Sequence, residues 1–267
     1  MPVVCPASLQ AIEEEAFHEI DYQVMGLAFS MRNELGRLWD EGIYQNELAF
    51  RCQQAGLPGV STEVPIHVTF RSFTKTYYMD LLVAGGAMFE LKTTSALTGR
   101  HRAQAIQYLL LAGLSHGALV NLRPASVQHR FVSARLTPEK RRAYTVDGAQ
   151  WQDGDAESGW LKQLVLNLLS DWGAFLAADL YCEAIEHFRG GQDSVVQQVA
   201  IVNGPRVIGS QRVHLLNPAT AFRITTLTRE PASYEQHLRR LLAHTGLRTI
   251  QWINLNHHTI TLKTLSQ

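Results

Sequence analysis

Tyr78-Met79-Asp80-Leu81-Leu82-Val83, then Gly85-Gly86, then Met88-Phe89-Glu90-Leu91-Lys92, constrains this chain more than any other segment. It reads as two short apolar strands joined at a pair of glycines, with three charged residues on them. A charge on an otherwise buried strand costs free energy unless it is paired or meets a cation. Asp80, Glu90 and Lys92 carry even numbers, whereas the odd positions Leu81, Val83, Phe89 and Leu91 are apolar. Side chains alternate faces along a strand. A two-residue turn at Gly85-Gly86 would pair 80 with 91 and send the two carboxylates to opposite faces. A loop with an odd number of residues pairs even with even and brings the three charges together. A three-residue turn with glycine in the left-handed conformation does this. The spacing therefore predicts such a loop, or an equivalent bulge, between Ala84 and Ala87.

Two adjacent carboxylates repel each other and favour a bound cation. Oxygen donors without His or Cys suit Mg²⁺ or Mn²⁺, and Mg²⁺ keeps several of its waters. Asp80, Glu90 and the Leu91 carbonyl then suffice as protein ligands. Such a metal polarises a scissile phosphate and lowers the pKa of a water. Lys92 is placed to orient that water or to stabilise developing negative charge. A strand-end acid beside a surface Glu–Lys pair would give the same triplet, and on the triplet alone both readings stay open. Gln104 and Tyr108, four apart, share one face of a helix, and Glu41 and Tyr44, three apart, share another. Together they offer a third carboxylate and further hydrogen-bonding groups for phosphate or sugar. His101, between Arg100 and Arg102 at an expected helix start, is either a phosphate contact or a solvated basic end.

Apolar positions at three- and four-residue spacing predict helix from about Ser8 to Gln54, broken near Gly36 and stopped by Leu57-Pro58-Gly59. Strands are expected at Glu63–Phe70, Thr76–Ala84 and Ala87–Thr93, then a helix over 100–112, then strands at Ala118–Leu122 and Gln128–Leu136. Ala149–Gly159 is the linker candidate. A single long helix is expected over Trp160–Phe188. Strands follow at Val195–Val202, Arg206–Leu216 and Ala221–Leu227, then a helix over Tyr234–His244, then closing strands at Arg248–Leu255 and Thr259–Thr264. The second half thus repeats the element order of the first. At an offset of 133 positions Trp39 meets Trp172, Gly113-Leu114 meets Gly246-Leu247, and Asn121-Leu122 meets Asn254-Leu255. At that offset Asp80, Glu90 and Lys92 fall on Val213, Arg223 and Thr225, so a degenerate duplicate would lack the acidic site.

Formal net charge is zero, which gives no global footprint of a nucleic-acid binder. The distribution is uneven: Arg100–Tyr144 holds eight Lys and Arg against one acid, and Thr145–His187 holds eight acids against one Lys. The basic half would suit phosphates. Cys5, Cys52 and Cys182 make neither a zinc spacing nor a disulfide framework, which fits a reducing, cytoplasmic setting. No signal peptide or membrane-spanning run is evident.

The ordered series Glu34-Leu35-Gly36, Glu41, Tyr44, Asp80-Leu81-Leu82-Val83, Glu90-Leu91-Lys92, Leu97-Thr98, His101, Ala103-Gln104, Tyr108, Gly113-Leu114 and Asn121 resembles the GxxExxY proteins. These form a branch of the PD-(D/E)XK nuclease superfamily near its RecB-type members. The resemblance covers about Tyr22 to Arg135. It departs where Leu38 replaces the glycine of the family's name, and where Ser95 and Arg102 replace common acids. It implies an α/β restriction-endonuclease-like core, with helices around a central mixed sheet, over residues 1–148. A smaller α+β domain over 155–267 would follow. By resemblance the activity is Mg²⁺-dependent phosphodiester hydrolysis, with DNA favoured over RNA. Asp80 and Glu90 are then metal ligands, Lys92 the catalytic lysine and Glu41 an accessory ligand, and Gln104 and Tyr108 match a Gln-x3-Tyr motif. Substrate contacts are expected from Gln104, Tyr108, Tyr44, His101 and Arg102. The alternative is a non-hydrolytic nucleic-acid- or protein-binding module on the same fold. No Gly-rich ATP-binding loop is present, so a motor or helicase would be a separate partner, and a homodimer is the other assembly expected.

Overall fold

The hydrophobic spacing of the first fifty residues folds as two helices. In the computed structural model, which describes residues 3–267, strand β1 (Val3–Val4) is followed by α1 (Glu14–Leu35) and α2 (Glu41–Gln54). The helix begins at Glu14 rather than at Ser8. Before it, Gln10 is tied to the glycine turn and not to a helical turn, its N–H donating to the Gly85 carbonyl at 3.0 Å and its Nε2 to the Ala84 carbonyl at 2.8 Å. The break falls at Gly36, as the sequence predicts, with a backbone φ of 78°.

Strands β2 (Ser61–Phe70), β3 (Phe73–Val83) and β4 (Ala87–Lys92) follow, then α3 (Gly99–Ala112), β5 (His116–Asn121) and β6 (Gln128–Ser133). The six strands lie in the order β1-β2-β3-β4-β5-β6. All neighbours are antiparallel except β4 and β5, which run parallel across α3. The parallel pair is buried along its whole length, as a crossover strand pair requires. Phe17, Val24, Met31 and Leu48 of α1 and α2 pack on Leu81, Val83, Phe89 and Leu91, the odd-numbered apolar set.

The chain divides into two units, Met1–Pro138 and Glu139–Gln267. The second holds α4 (Pro138–Arg142), β7 (Thr145–Gln150), α5 (Ala156–Trp172), α6 (Ala178–Phe188), α7 (Gln192–Val195), β8 (Val196–Asn203), β9 (Arg206–Asn217), β10 (Thr220–Thr225), α8 (Pro231–Ala243), β11 (Thr249–Asn256) and β12 (Thr259–Ser266). Two expectations change here. The 149–159 segment is not the junction, because β7 pairs in parallel with β12 and so belongs to the second sheet. The single helix expected over 160–188 is two helices, separated where Ala174 N–H donates to the Arg141 carbonyl instead of continuing the helix.

The second sheet has the order β7-β12-β11-β10-β9-β8. From β8 to β12 its pairings are antiparallel, antiparallel, parallel and antiparallel, the same series as β2 to β6. Register extends the match to single residues. Lys92 pairs with Asn121, and Thr225, 133 positions on, pairs with Asn254. Asn121 exchanges two hydrogen bonds with the backbone of Thr94 at 2.9 and 3.1 Å, and Asn254 does the same with Leu227 at 3.0 and 2.8 Å. Tyr44 donates to the Gly36 carbonyl and Tyr181 to the Gly173 carbonyl. The helices therefore match at an offset of 137, which aligns Trp172 with Leu35 and removes the Trp39–Trp172 pairing. Among the described residues no helix is long and apolar enough to cross a membrane.

Candidate active site

The β3–β4 connection is the three-residue loop that parity demands. Val83 pairs with Ala87, and Ala84-Gly85-Gly86 lie between them. Ala84 and Gly85 take left-handed φ of 52° and 65°. The ladder stops at Leu81–Phe89, one step before Asp80 and Glu90. Beyond that point the Asp80 carboxylate takes the place of a backbone partner, its Oδ2 accepting the Leu91 N–H at 2.7 Å. The Glu90 Oε1 accepts the Asp80 N–H at 3.4 Å. Both carboxylates thus reach one pocket.

Lys92 fills the centre of that pocket. Its Nζ is 3.4 Å from Asp80 Oδ2, 3.4 Å from Glu90 Oε2 and 3.6 Å from Glu41 Oε1, and it donates to the Leu91 carbonyl at 2.6 Å. Glu90 is 1% exposed and Lys92 8%, so these charges have little water to relax into. Burial pushes the Glu90 carboxyl up to about 8, and the neighbouring Asp80 charge adds to this against the pull of Lys92. Asp80 is also raised, by burial, with Lys92 and the Leu91 N–H opposing. For Lys92 burial opposes the charge, but Glu90, Asp80 and Glu41 outweigh it and raise the pKa.

The remaining expected residues divide. Gln104 donates to the Tyr108 hydroxyl at 2.9 Å. Burial raises the Tyr108 pKa, against the Gln104 bond and with the charges of Glu90 and Asp80 adding to it. Arg102 is exposed in the first turn of α3. Tyr44 is not a substrate contact: it is fully buried, and its hydroxyl is committed to the Gly36 carbonyl at 2.7 Å, closing the α1–α2 junction. His101 serves its own helix, with Nδ1 accepting the Thr98 N–H at 3.2 Å.

Gln45 escapes the sequence reading. Buried on α2, it donates through Nε2 to the Asp80 carbonyl at 2.6 Å and to Glu63 Oε1 at 2.7 Å. Glu63 lies across from Asp80, between the pairs Thr62–Leu81 and Val64–Met79, at a left-handed φ of 50°. The signal that finds Gln45 is its position four residues after Glu41, on the same helix face.

Residues 18–132 match the family model of the PD-(D/E)XK nuclease superfamily. No curated protein and no solved structure matches the chain significantly. The matched span contains Asp80, Glu90, Lys92 and Glu41 and ends before the second unit. Members of this superfamily are generally nucleases that use divalent metals. Among the described residues no three His, Cys, Asp or Glu side chains are grouped as a ready metal cage. The donor set nevertheless fits a cation: two carboxylates and a main-chain carbonyl, all oxygen, already converge on a positive charge, the Lys92 ammonium. In the second unit Val213, Arg223 and Thr225 stand at the positions of Asp80, Glu90 and Lys92. The pairing of Ala221 with Leu215, matching Met88 with Leu82, fixes that equivalence. Arg223 donates to the Tyr234 hydroxyl at 2.8 Å, so an exposed cation replaces the buried acid.

Proposed function

We propose that the first unit, Met1–Pro138, holds a Mg²⁺- or Mn²⁺-dependent nuclease of the GxxExxY branch that hydrolyses phosphodiester bonds, of DNA in preference to RNA. We further propose that the second unit, Glu139–Gln267, is a copy of the same fold that has lost its acidic site. The observation that carries the first reading is the convergence of Asp80, Glu90 and Glu41 on Lys92. Asp80, Glu90 and the Leu91 carbonyl would hold the metal, with Glu41 as accessory ligand. A bound divalent ion supplies Lewis-acid polarisation of a phosphate. Lys92, released from the carboxylates it pairs with, is the donor for the attacking water or for the developing charge on phosphate oxygen. Tyr108 and Gln104 would serve as phosphate or sugar contacts, and Arg102, exposed in the first turn of α3, would add a positive charge for phosphate. Gln45 holds the backbone of Asp80 and so sets the direction of its carboxylate.

The test is incubation of purified protein with labelled single- and double-stranded DNA and RNA, with Mg²⁺ or Mn²⁺, beside Lys92→Ala. Cleavage by the wild type and none by the variant is expected. Equal product from both would remove Lys92 from the mechanism. Calorimetry with Mn²⁺ should show binding that disappears in Asp80→Ala. A wild type that binds no divalent ion leaves the non-hydrolytic module as the surviving reading.

A further inference from the structure

Beside the carboxylate cluster two large apolar side chains stand uncovered. Leu38 is 78% exposed and Trp39 49% exposed, although a tryptophan's large apolar surface favours burial. The indole is not loose. Its Nε1–H donates to the Leu35 carbonyl at 2.8 Å, and its backbone N–H to the Tyr44 hydroxyl at 3.4 Å. Its carbonyl accepts from Arg123 at 3.2 Å. The same guanidinium holds the carbonyl of Arg37 at 3.0 Å and that of Thr93, the residue after Lys92, at 3.3 Å. Two residues beyond Trp39, Glu41 reaches Lys92 at 3.6 Å. An aromatic ring with open surface is therefore pinned to the end of α1, the start of α2 and the end of β4, at the edge of the pocket.

A fixed aromatic with a free face, next to a site for phosphate chemistry, suits an unpaired base. Every base has a π-face to stack, and holding the ring in advance removes part of the ordering cost. Bases within a duplex already stack on their neighbours and do not offer that face. We propose that Trp39 is a stacking platform for an unpaired nucleobase, extended by Leu38, and that the first unit engages single-stranded or frayed nucleic acid. The inference rests on the nuclease reading for its substrate class, and the experiment separates the two.

The full-length protein is titrated in EDTA, where a metal-dependent reaction is silent, against fluorescein-labelled single-stranded DNA, single-stranded RNA and the matching DNA duplex. Trp39→Ala should weaken single-strand binding about 5- to 150-fold, the range that one stacked base supplies, and leave duplex binding within about a factor of two. Trp39→Phe should retain most of the affinity, and it should lose the part of the tryptophan quenching that single strands produce in the wild type. The DNA and RNA arms show which strand the platform takes. A wild type that ignores single strands overturns the proposal, as does a folded Trp39→Ala that binds them normally. An equal loss on duplex and single strand marks a disturbed loop and also overturns it. Trp39-dependent binding without any cleavage in Mg²⁺ or Mn²⁺ supports the platform while sinking the hydrolytic reading.

Discussion

Replacing Lys92 by Met keeps the length of the side chain and removes the charge at the focus of the site. At 3.4 Å and an effective dielectric near 20, each contact with Asp80 and Glu90 has a gross attraction of about 5 kcal/mol. The net cost of losing it is smaller, because the ammonium no longer has to be desolvated and Glu90 can hold a proton. With its carboxyl raised to about 8, Glu90 is mostly protonated at pH 7 in the metal-free protein. Lys92→Met then costs chiefly the hydrogen bond to the Leu91 carbonyl and compensation of Asp80, about 1–3 kcal/mol. At pH 9 the wild type ionises Glu90 against Lys92, whereas the variant must bury that charge unpaired or keep the proton, and the cost rises by about 1.4 kcal/mol, to about 2.5–4.5 kcal/mol. The sign follows from linkage. A folded pKa above the unfolded value means stability falls as pH rises between the two. In the wild type that fall ends near pH 8, and in the variant it continues, by about tenfold in the folding equilibrium per pH unit. Urea unfolding in EDTA at pH 7 and pH 9 measures both. The same destabilisation at the two pH values would refute the placement of Lys92 against an ionisable Glu90.

Three further outcomes are expected. Metal affinity should weaken from pH 8 to pH 6, because the ion must displace the Glu90 proton; calorimetry in two buffers of different ionisation enthalpy will show the released proton. Gln45→Leu should cost about 1 kcal/mol, chiefly by leaving the half-buried Asp80 carbonyl without its donor while the exposed Glu63 carboxylate turns to water, and should lower Mn²⁺ affinity while the circular dichroism spectrum is kept. Gly86→Ala places a Cβ 2.5 Å from the Gln10 carbonyl oxygen and 2.7 Å from Ile12, so thermal unfolding should report a loss of about 1–3 kcal/mol.

Much of the site could be read in one dimension because it lies on two strands joined by a short loop. Parity and an odd loop at two glycines put Asp80 and Glu90 on one side, and Glu41 entered as an accessory ligand only through the family resemblance. Residues whose role depends on distant partners were not readable in this way. Tyr44 looks like a substrate contact until the fold shows its hydroxyl spent on Gly36, and the Nδ1 of His101 is spent on the end of its own helix. Gln45 gains its meaning from β2 and β3, which lie far along the chain from it.

The alternation of apolar and charged residues, with the glycines that permit a left-handed turn, determined by itself that two acids and a lysine would share one hairpin, since strand periodicity is a local property of the backbone; that Glu90 and Lys92 are buried there, and do not form a surface pair, was decided by the fold. Which sheet takes β7, where the second long helix breaks, and how closely β8–β12 repeat β2–β6 were decided only in three dimensions. Those outcomes depend on pairing between segments far apart in sequence, such as β7 with β12 and Ala174 with Arg141, and local propensity carries no record of them.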